Sequence, residues 1–183
     1  MWETGKGRRG ECRKSHREFD RGRSVFFYND KMRQSLLRYK YYGNRDYAEY
    51  YAVSLCHYME REIRMWKPDL IVPVPMHPRK QRERGFNQAA DLAEKAGGIL
   101  KIPMSDQVVK KTKATRSQKK LNAAERKQNL RMAFQATERL DGLRILVIDD
   151  VYTTGSTIEA MAHVLKAAGA DKVFFVTLCT GQI

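Results

Sequence analysis

Two apolar strands separated by one amphipathic helix, between Arg144 and Cys179, constrain the fold more than any other part of the chain. RILVID (Arg144–Asp149) and KVFFVTLC (Lys172–Cys179) carry continuous apolar runs rather than alternating ones, the pattern of strands buried on both faces. Between them Gly155–Ala168 reads as a helix, with Ile158, Met161, Ala162 and Leu165 on one face and Gly169 as its stop. DLIVPVP (Asp69–Pro75) is a third buried strand, and its prolines mark its end because proline cannot donate to a ladder. Such strands alternating with helices specify an α/β fold, a central mainly parallel sheet flanked by helices. Ligands of such sheets bind beyond the carboxyl ends of the strands. Two junctions lie at such ends here, Pro73–Arg84 and Asp149–Thr157.

The remaining segments fit around that sheet. SVFFY (Ser24–Tyr28) reads as a short strand, and Asp30–Gly43 as a helix with Asp30 as N-cap and Gly43 as stop. From Asp46 to Trp66, Ala48, Ala52, Leu55, Met59 and Ile63 recur at helical spacing and make one buried face. Gln81–Ala96 reads as a helix interrupted near Gly85, and DQVVKK (Asp106–Lys111) as a strand. Residues 1–23 are polar, basic and Gly-rich, and read as a mobile arm. The net charge of +14 is unevenly spread. Residues 1–40 carry 12 Lys/Arg against 5 Asp/Glu, residues 101–131 carry 10 against 2, and residues 132–183 carry 4 against 6. That asymmetry points to polyanionic partners, nucleic acid or phosphorylated metabolites. No apolar run is long enough to suggest membrane insertion. The first residues lack the apolar stretch of a secretory signal, and three distant cysteines argue against a disulfide framework, so a cytoplasmic protein is expected.

Val147–Thr157 reads VIDDVYTTGST. Two adjacent carboxylates, Asp149 and Asp150, end the strand, and hydroxyls surround one glycine at the helix start. Free N–H groups and the helix dipole make that terminus an anion site. Gly155 lets the backbone close around a phosphate, and Thr153, Thr154, Ser156 and Thr157 add hydroxyl donors. The carboxylates stand before that cradle, where they accept hydrogen bonds from sugar hydroxyls and stabilise positive charge developing on a sugar ring. A ligand with an anionic end and a hydroxylated, cation-forming middle suits both halves, and ribose 5-phosphate chemistry fits it. The rival reading is an ordinary capped strand–turn–helix, but capping needs neither the acidic pair nor so many hydroxyls.

At every position from Val147 to Thr157 this stretch resembles the phosphoribosyl-pyrophosphate loop of type I phosphoribosyltransferases. PVPMHPRKQRERGFNQA (Pro73–Ala89), followed by RSQKKLNAAERKQNLRMAF (Arg116–Phe134), resembles the ComF family, phosphoribosyltransferase-like proteins of DNA uptake. The resemblance runs from about Ser24 to Cys179 and implies a type I phosphoribosyltransferase-like domain over residues 24–183. It implies catalytic roles for Asp149 and Asp150, a 5′-phosphate site at Thr153, Thr154, Gly155, Ser156 and Thr157, and a pyrophosphate loop after the earlier strand. The matching residues there are Val74, Pro75, Met76, Arg79, Lys80 and Arg84. Arginine suits pyrophosphate through bidentate contacts; Lys80 stands where arginine is expected in the family. The prolines stiffen this loop and leave room for a non-trans peptide. Asn87 and Gln88 either orient ligand and loop or cap locally, and His77 is not expected to be a general base. The reaction would break the bond between C1 and pyrophosphate through an oxocarbenium-like state. Mg²⁺ would bridge ligand oxygens and keep several waters, with no certain protein ligand.

Where type I enzymes carry a mobile lid, this chain has the basic segment Lys110–Arg131. Lys110, Lys111, Lys113, Arg116, Lys119 and Lys120 are candidates for a lid or for following a nucleic-acid backbone, and a plain connector is the third reading. ComF relatives often begin with a four-cysteine zinc module. Here Cys12 keeps one ligand, Ser15 replaces its partner and His16 stands beside it, so the arm reads as a remnant and no zinc is expected. Cys56 and Cys179 read as packing residues. The leading function is a ComF-like pentosyl-transfer protein that binds phosphoribosyl pyrophosphate with Mg²⁺ and serves DNA uptake and natural transformation. Single-stranded DNA, a DNA-uptake helicase and a second copy of the chain are the expected macromolecular partners. The rivals are a nucleobase-salvage phosphoribosyltransferase and a non-catalytic adaptor for single-stranded DNA.

Overall fold

The computed structural model describes residues 17–41, 46–112 and 132–181. Four strands form the central sheet: β1 (Arg21–Phe27), β2 (Leu70–Pro73), β5 (Arg144–Tyr152) and β6 (Lys172–Thr180). Their order is β1-β6-β5-β2, and every neighbouring pair is parallel. The parallel sheet expected from the apolar runs is therefore present. A small antiparallel pair, β3 (Val109–Lys111) and β4 (Phe134–Ala136), stands apart and sets Lys111 opposite Phe134.

Helices cover both faces. On one side lie α1 (Asp30–Tyr41), α2 (Asp46–Trp66) and α4 (Gln88–Leu100); on the other lies α5 (Ser156–Ala167). The short α3 (Pro78–Arg84) follows β2. Alternation along β5 feeds two cores, since successive strand residues point to opposite faces. Leu146 and Ile148 join the core beneath α1, α2 and α4, with Leu36, Leu55, Ile63 and Leu92. Ile145 and Val147 join the core beneath α5, with Ile158, Met161 and Leu165. Trp66 closes the first core by stacking on Phe174, with ring centroids 5.1 Å apart. Ala48, Ala52, Leu55, Met59 and Ile63 of α2 are all buried, as their spacing requires.

Four elements differ from their sequence expectations, one of them the strand expected over Asp106–Lys111, which is confined to Val109–Lys111. The first strand begins at Arg21 rather than Ser24, and Asp20 fastens its start. Asp20 accepts from the Val173 N–H at 2.9 Å and pairs with Lys166 and Lys172 at 2.9 and 3.1 Å. The interrupted helix near Gly85 is two helices, because Pro78 opens α3 and Gly85 ends it in the left-handed conformation at φ 87°. The strand that carries the acidic pair runs on through Tyr152 instead of stopping at Asp149. Helix α1 is described to Tyr41; its expected stop at Gly43 lies outside the described residues, as does most of the arm, including Cys12, Ser15 and His16.

Candidate functional site

A cavity of about 370 Å³ opens at the carboxyl ends of β2 and β5. Its wall is built from the Val74–His77 loop, Arg79, Lys80 and Glu83 of α3, Asn87 and Gln88 at the start of α4, Lys111, Asp149 and Thr157. Residues that are 83 positions apart in the chain, Val74 and Thr157, thus share one space. Parallel pairing of Pro73 with Ile148 puts the two strand ends side by side and accounts for that meeting.

The Val74–His77 loop is held from three sides. The Val74 N–H donates to the Ile148 carbonyl at 2.9 Å. Asn87 Nδ2 donates to the Val74 carbonyl at 3.1 Å, while its Oδ1 accepts from the Ala89 N–H at 3.1 Å and caps α4. His77 caps α3, its Nδ1 accepting from the Arg79 N–H at 3.2 Å. All peptides among the described residues are trans, so the non-trans option in this loop is not used. Arg79 pairs along α3 with Glu83 at 3.0 Å, and Lys80 lies on the same wall.

On the opposite wall, Gly155 adopts φ 78° and opens α5. Thr154 Oγ1 and Ser156 Oγ lie 2.9 Å apart, and the Ser156 N–H points to Thr154 Oγ1 at 3.4 Å. The first turn of α5 therefore presents hydroxyls and N–H groups at a positive helix end. Glu159 in that turn would oppose an anion, but it is buried and engaged by Arg17 Nη1 and the Glu18 N–H, both at 3.2 Å.

Asp149 lies on the cavity wall, as does Glu83 of α3. Its Oδ1 accepts from the Asp150 N–H at 2.9 Å. Burial and then the negative charge of Asp150 push its pKa well above the ordinary value, against the pull of Lys40. Lys111 lies across the same space with its Nζ 5.1 Å from the Phe134 ring centroid. Burial lowers its pKa, Asp149 draws it up, and Lys80 adds to the lowering. With Arg79, Lys80 and Lys111 against Asp149 and an Arg79-paired Glu83, the cavity attracts a polyanion while keeping an acceptor for hydroxyl groups. Among the described residues no cluster of His, Cys, Asp or Glu could hold a metal ion on its own.

Residues 55–183 match the phosphoribosyl transferase domain family. The chain belongs to that family. Its relatives are of the ComF kind. Competence protein F of Haemophilus influenzae is 29% identical over 171 residues, 90% of this chain and 74% of that protein. Competence protein ComFC of Bacillus subtilis is 31% identical over 147 residues, 80% of this chain and 58% of that protein. The chain thus spans somewhat over half of the Bacillus protein's length. A solved structure described as the allosteric regulatory enzyme of purine biosynthesis shares the fold, with a TM-score of 0.52 at 18% identity over 78% of this chain and 30% of that one.

Seen as a phosphoribosyltransferase-fold site, the candidate residues separate into three groups. Val74, Pro75, Met76, Arg79, Lys80, Asp149 and Thr157 meet at the cavity, and Thr153, Thr154, Gly155 and Ser156 form the adjoining turn. Asp150 and Arg84, expected in the acidic pair and the pyrophosphate set, do not line the cavity. Asp150 follows the parity of Leu146 and Ile148 and emerges beneath α1 and α4, 7% exposed, where Lys40 Nζ pairs with it. Arg84 bonds Gln88 Oε1 at 2.5 Å and lies over the Tyr41 ring at 4.9 Å. Of the basic candidates, Lys110 lies exposed on β3 and Lys111 turns into the cavity; Lys113, Arg116, Lys119 and Lys120 lie outside the described residues. Lys40 went unread in the sequence, where a lysine in an amphipathic helix gives no signal of a partner 110 positions away.

Proposed function

We propose that the cavity binds phosphoribosyl pyrophosphate with Mg²⁺ and that this ComF-like, phosphoribosyltransferase-type protein serves DNA uptake. The observation that carries the reading is the single cavity joining Asp149 and Thr157 to the Val74–Lys80 loop. Its volume suits a ligand of this size. The 5′-phosphate would lie on the hydroxyls and N–H groups of Thr153–Thr157, and the sugar hydroxyls would donate to Asp149. The pyrophosphate would meet Arg79, Lys80 and Lys111. The names of the competence relatives support the DNA-uptake role, and the net charge of +14 suits contact with a polyanion.

In the reaction, the bond from C1 to the pyrophosphate oxygen breaks and its electron pair leaves with pyrophosphate. The acceptor's lone pair forms the new bond to C1, and its proton passes to solvent. Asp149 faces the ring and stabilises its positive charge, while the three cations stabilise the leaving group. Mg²⁺ bound with the ligand would supply neutralisation of part of the pyrophosphate charge. Asn87 keeps the Val74 carbonyl and its loop in place.

Calorimetric titration of phosphoribosyl pyrophosphate, with and without Mg²⁺, tests the reading. Mg²⁺-dependent binding by the wild type, lost in Asp149→Ala, is expected. No binding by the wild type refutes it. Release of pyrophosphate with one nucleobase alone would instead identify a salvage enzyme. Salt-dependent retention on single-stranded DNA without sugar-phosphate binding would identify an adaptor.

A further inference from the structure

Strand β1 is preceded by a short strap, Arg17–Asp20, that follows α5 along one face. Its charged side chains meet the helix in order. Arg17 Nη1 pairs with Glu159 Oε1 at 3.2 Å, Glu18 Oε1 lies 3.4 Å from His163 Nδ1, and Asp20 Oδ2 pairs with Lys166 Nζ at 2.9 Å. Glu159, His163 and Lys166 recur at helical spacing, so they stand one above another on α5. The Glu18 N–H also donates to Glu159 Oε2 at 3.2 Å, so the strap engages both oxygens of that carboxylate.

A second route joins the strap to the same end of α5. The Phe19 ring meets Phe175 edge-on with centroids 4.9 Å apart, and Phe175 stacks on Tyr152, again at 4.9 Å. The Tyr152 hydroxyl packs against Gly155, leaving no room there for a Cβ. Gly155 opens the turn whose hydroxyls and N–H groups adjoin the cavity. The strap therefore reaches that turn twice, by charge at Glu159 and by a column of rings beneath Gly155.

The charge contact bears on binding. Glu159 lies in the first turn of α5, two positions after Thr157, which lines the cavity. It is 3% exposed, so water screens it little. Left uncompensated, it would oppose the anion that the positive helix end attracts. The strap puts its cation at this end of the helix, and its carboxylates, Glu18 and Asp20, lie farther along.

We propose that Arg17 is a positioning residue for the 5′-phosphate: by neutralising Glu159 it keeps the first turn of α5 receptive to a dianion, and it makes the segment before β1 part of the ligand site's support. The assignment rests on the phosphoribosyl pyrophosphate reading and deepens it. Arg17 touches no ligand in this account; it acts through Glu159.

The test is calorimetric titration of phosphoribosyl pyrophosphate with Mg²⁺ and, separately, of inorganic pyrophosphate. It uses the full chain and four variants: Arg17→Met, Arg17→Lys, Glu159→Gln and Arg17→Met/Glu159→Gln. Arg17→Met should weaken phosphoribosyl pyrophosphate about 10-fold, because a buried carboxylate then stands unpaired near the phosphate. The double variant should return to within about 3-fold of wild type, since both charges are gone. Arg17→Lys keeps the charge and should lose no more than about 3-fold. Glu159→Gln leaves Arg17 beside the turn and should bind about 3-fold tighter than wild type. Inorganic pyrophosphate, placed at Arg79, Lys80 and Lys111, should stay within about 3-fold of wild type throughout, because charge effects fade with distance in salt. A strap that only stabilised the fold would weaken both ligands alike and would gain nothing from the second substitution. The assignment is overturned if Arg17→Met binds phosphoribosyl pyrophosphate like wild type, if the double variant is no better than Arg17→Met, or if pyrophosphate weakens as much as phosphoribosyl pyrophosphate. Should Arg17→Met fail to fold, Glu159→Gln decides: tighter binding supports the assignment, and unchanged or weaker binding overturns it. A wild type that does not bind phosphoribosyl pyrophosphate overturns the sugar-phosphate reading and this assignment together; wild-type binding with the wrong order of variants overturns this assignment alone.

Discussion

Replacing Gly155 by alanine isolates the backbone that opens α5. Gly155 stands at φ 78°, where an L-residue loses about 1–2 kcal/mol. A Cβ there would also lie 2.4 Å from the Tyr152 hydroxyl oxygen, 2.8 Å from its Cζ and 3.1 Å from its Cε2. The ring cannot simply tilt away, because it stacks on Phe175 with an interplanar angle of 5° and centroids 4.9 Å apart. Overpacking of this kind costs about 1–3 kcal/mol. Together Gly155→Ala should destabilise by about 2–5 kcal/mol, which for a chain of this size lowers Tm by about 4–20 °C. Differential scanning fluorimetry reads that directly. Tyr152→Phe in the Gly155→Ala background removes the nearest of the three atoms and leaves the dihedral strain, so it should restore only part of the loss. The same substitution should weaken phosphoribosyl pyrophosphate, because the N–H groups of the turn must shift. An unchanged Tm for Gly155→Ala would refute both the left-handed turn and the stacked tyrosine beneath it.

Further outcomes follow from the charges and thiols. Asp149→Asn should raise the Tm of the unliganded protein near neutral pH while weakening ligand. The folded pKa of Asp149 lies above its unfolded 3.8, so between the two values the native state holds the extra proton and stability falls as pH rises. Asparagine removes that penalty and can still accept the Asp150 N–H; a wild type whose Tm exceeds the variant's throughout pH 5–8 would contradict this. Lys111→Met should weaken inorganic pyrophosphate about 10-fold without loss of Tm, since it deletes a cation that burial already disfavours; calorimetry at two salt concentrations checks it. Cys56 and Cys179 are buried with thiols pushed up to about 11 and about 12, so neither should react with a thiol reagent at pH 8 until denaturant is added. Rapid labelling of either in the native protein would show the core to be more open than described.

Legibility in the sequence followed the range of the forces involved. β5, α5 and β6 were plain because continuous apolar runs and helical spacing are local signals. The start of β1 was hidden, since Arg-Gly-Arg looks like arm. Its glycine is explained only by a distant ring: a Cβ on Gly22 would stand 1.9 Å from Phe175 Cε1. The Val74–His77 loop and the α5 turn could each be assigned an anion, but only the pairing of β2 with β5 brings them into one cavity. The alternation of Ile145, Leu146, Val147 and Ile148 already implied that Asp149 and Asp150 face opposite ways. Which face held the ligand depended on where α1, α4 and α5 pack, and that is tertiary information. Lys111 reads in the sequence only as a lid or nucleic-acid candidate, because its contact with the Phe134 ring comes from beyond the basic segment.

The strand order has a consequence for how the chain is made. β6 is the last strand described, yet it lies between β1 and β5 and is the neighbour through which β1 joins the sheet. Phe27 pairs with Thr180, so 153 residues must follow the first strand before its ladder partner exists. At about 5–20 residues per second of synthesis, β1 and the apolar face of α1 wait about 8–30 s for β6. During that interval Val25 and Phe26 form part of an open edge, the kind of surface that chaperones hold and that aggregates recruit. A ribosome stalled before Lys172 should therefore carry a nascent chain whose β1 region is cut by protease, whereas release of the whole chain should protect it.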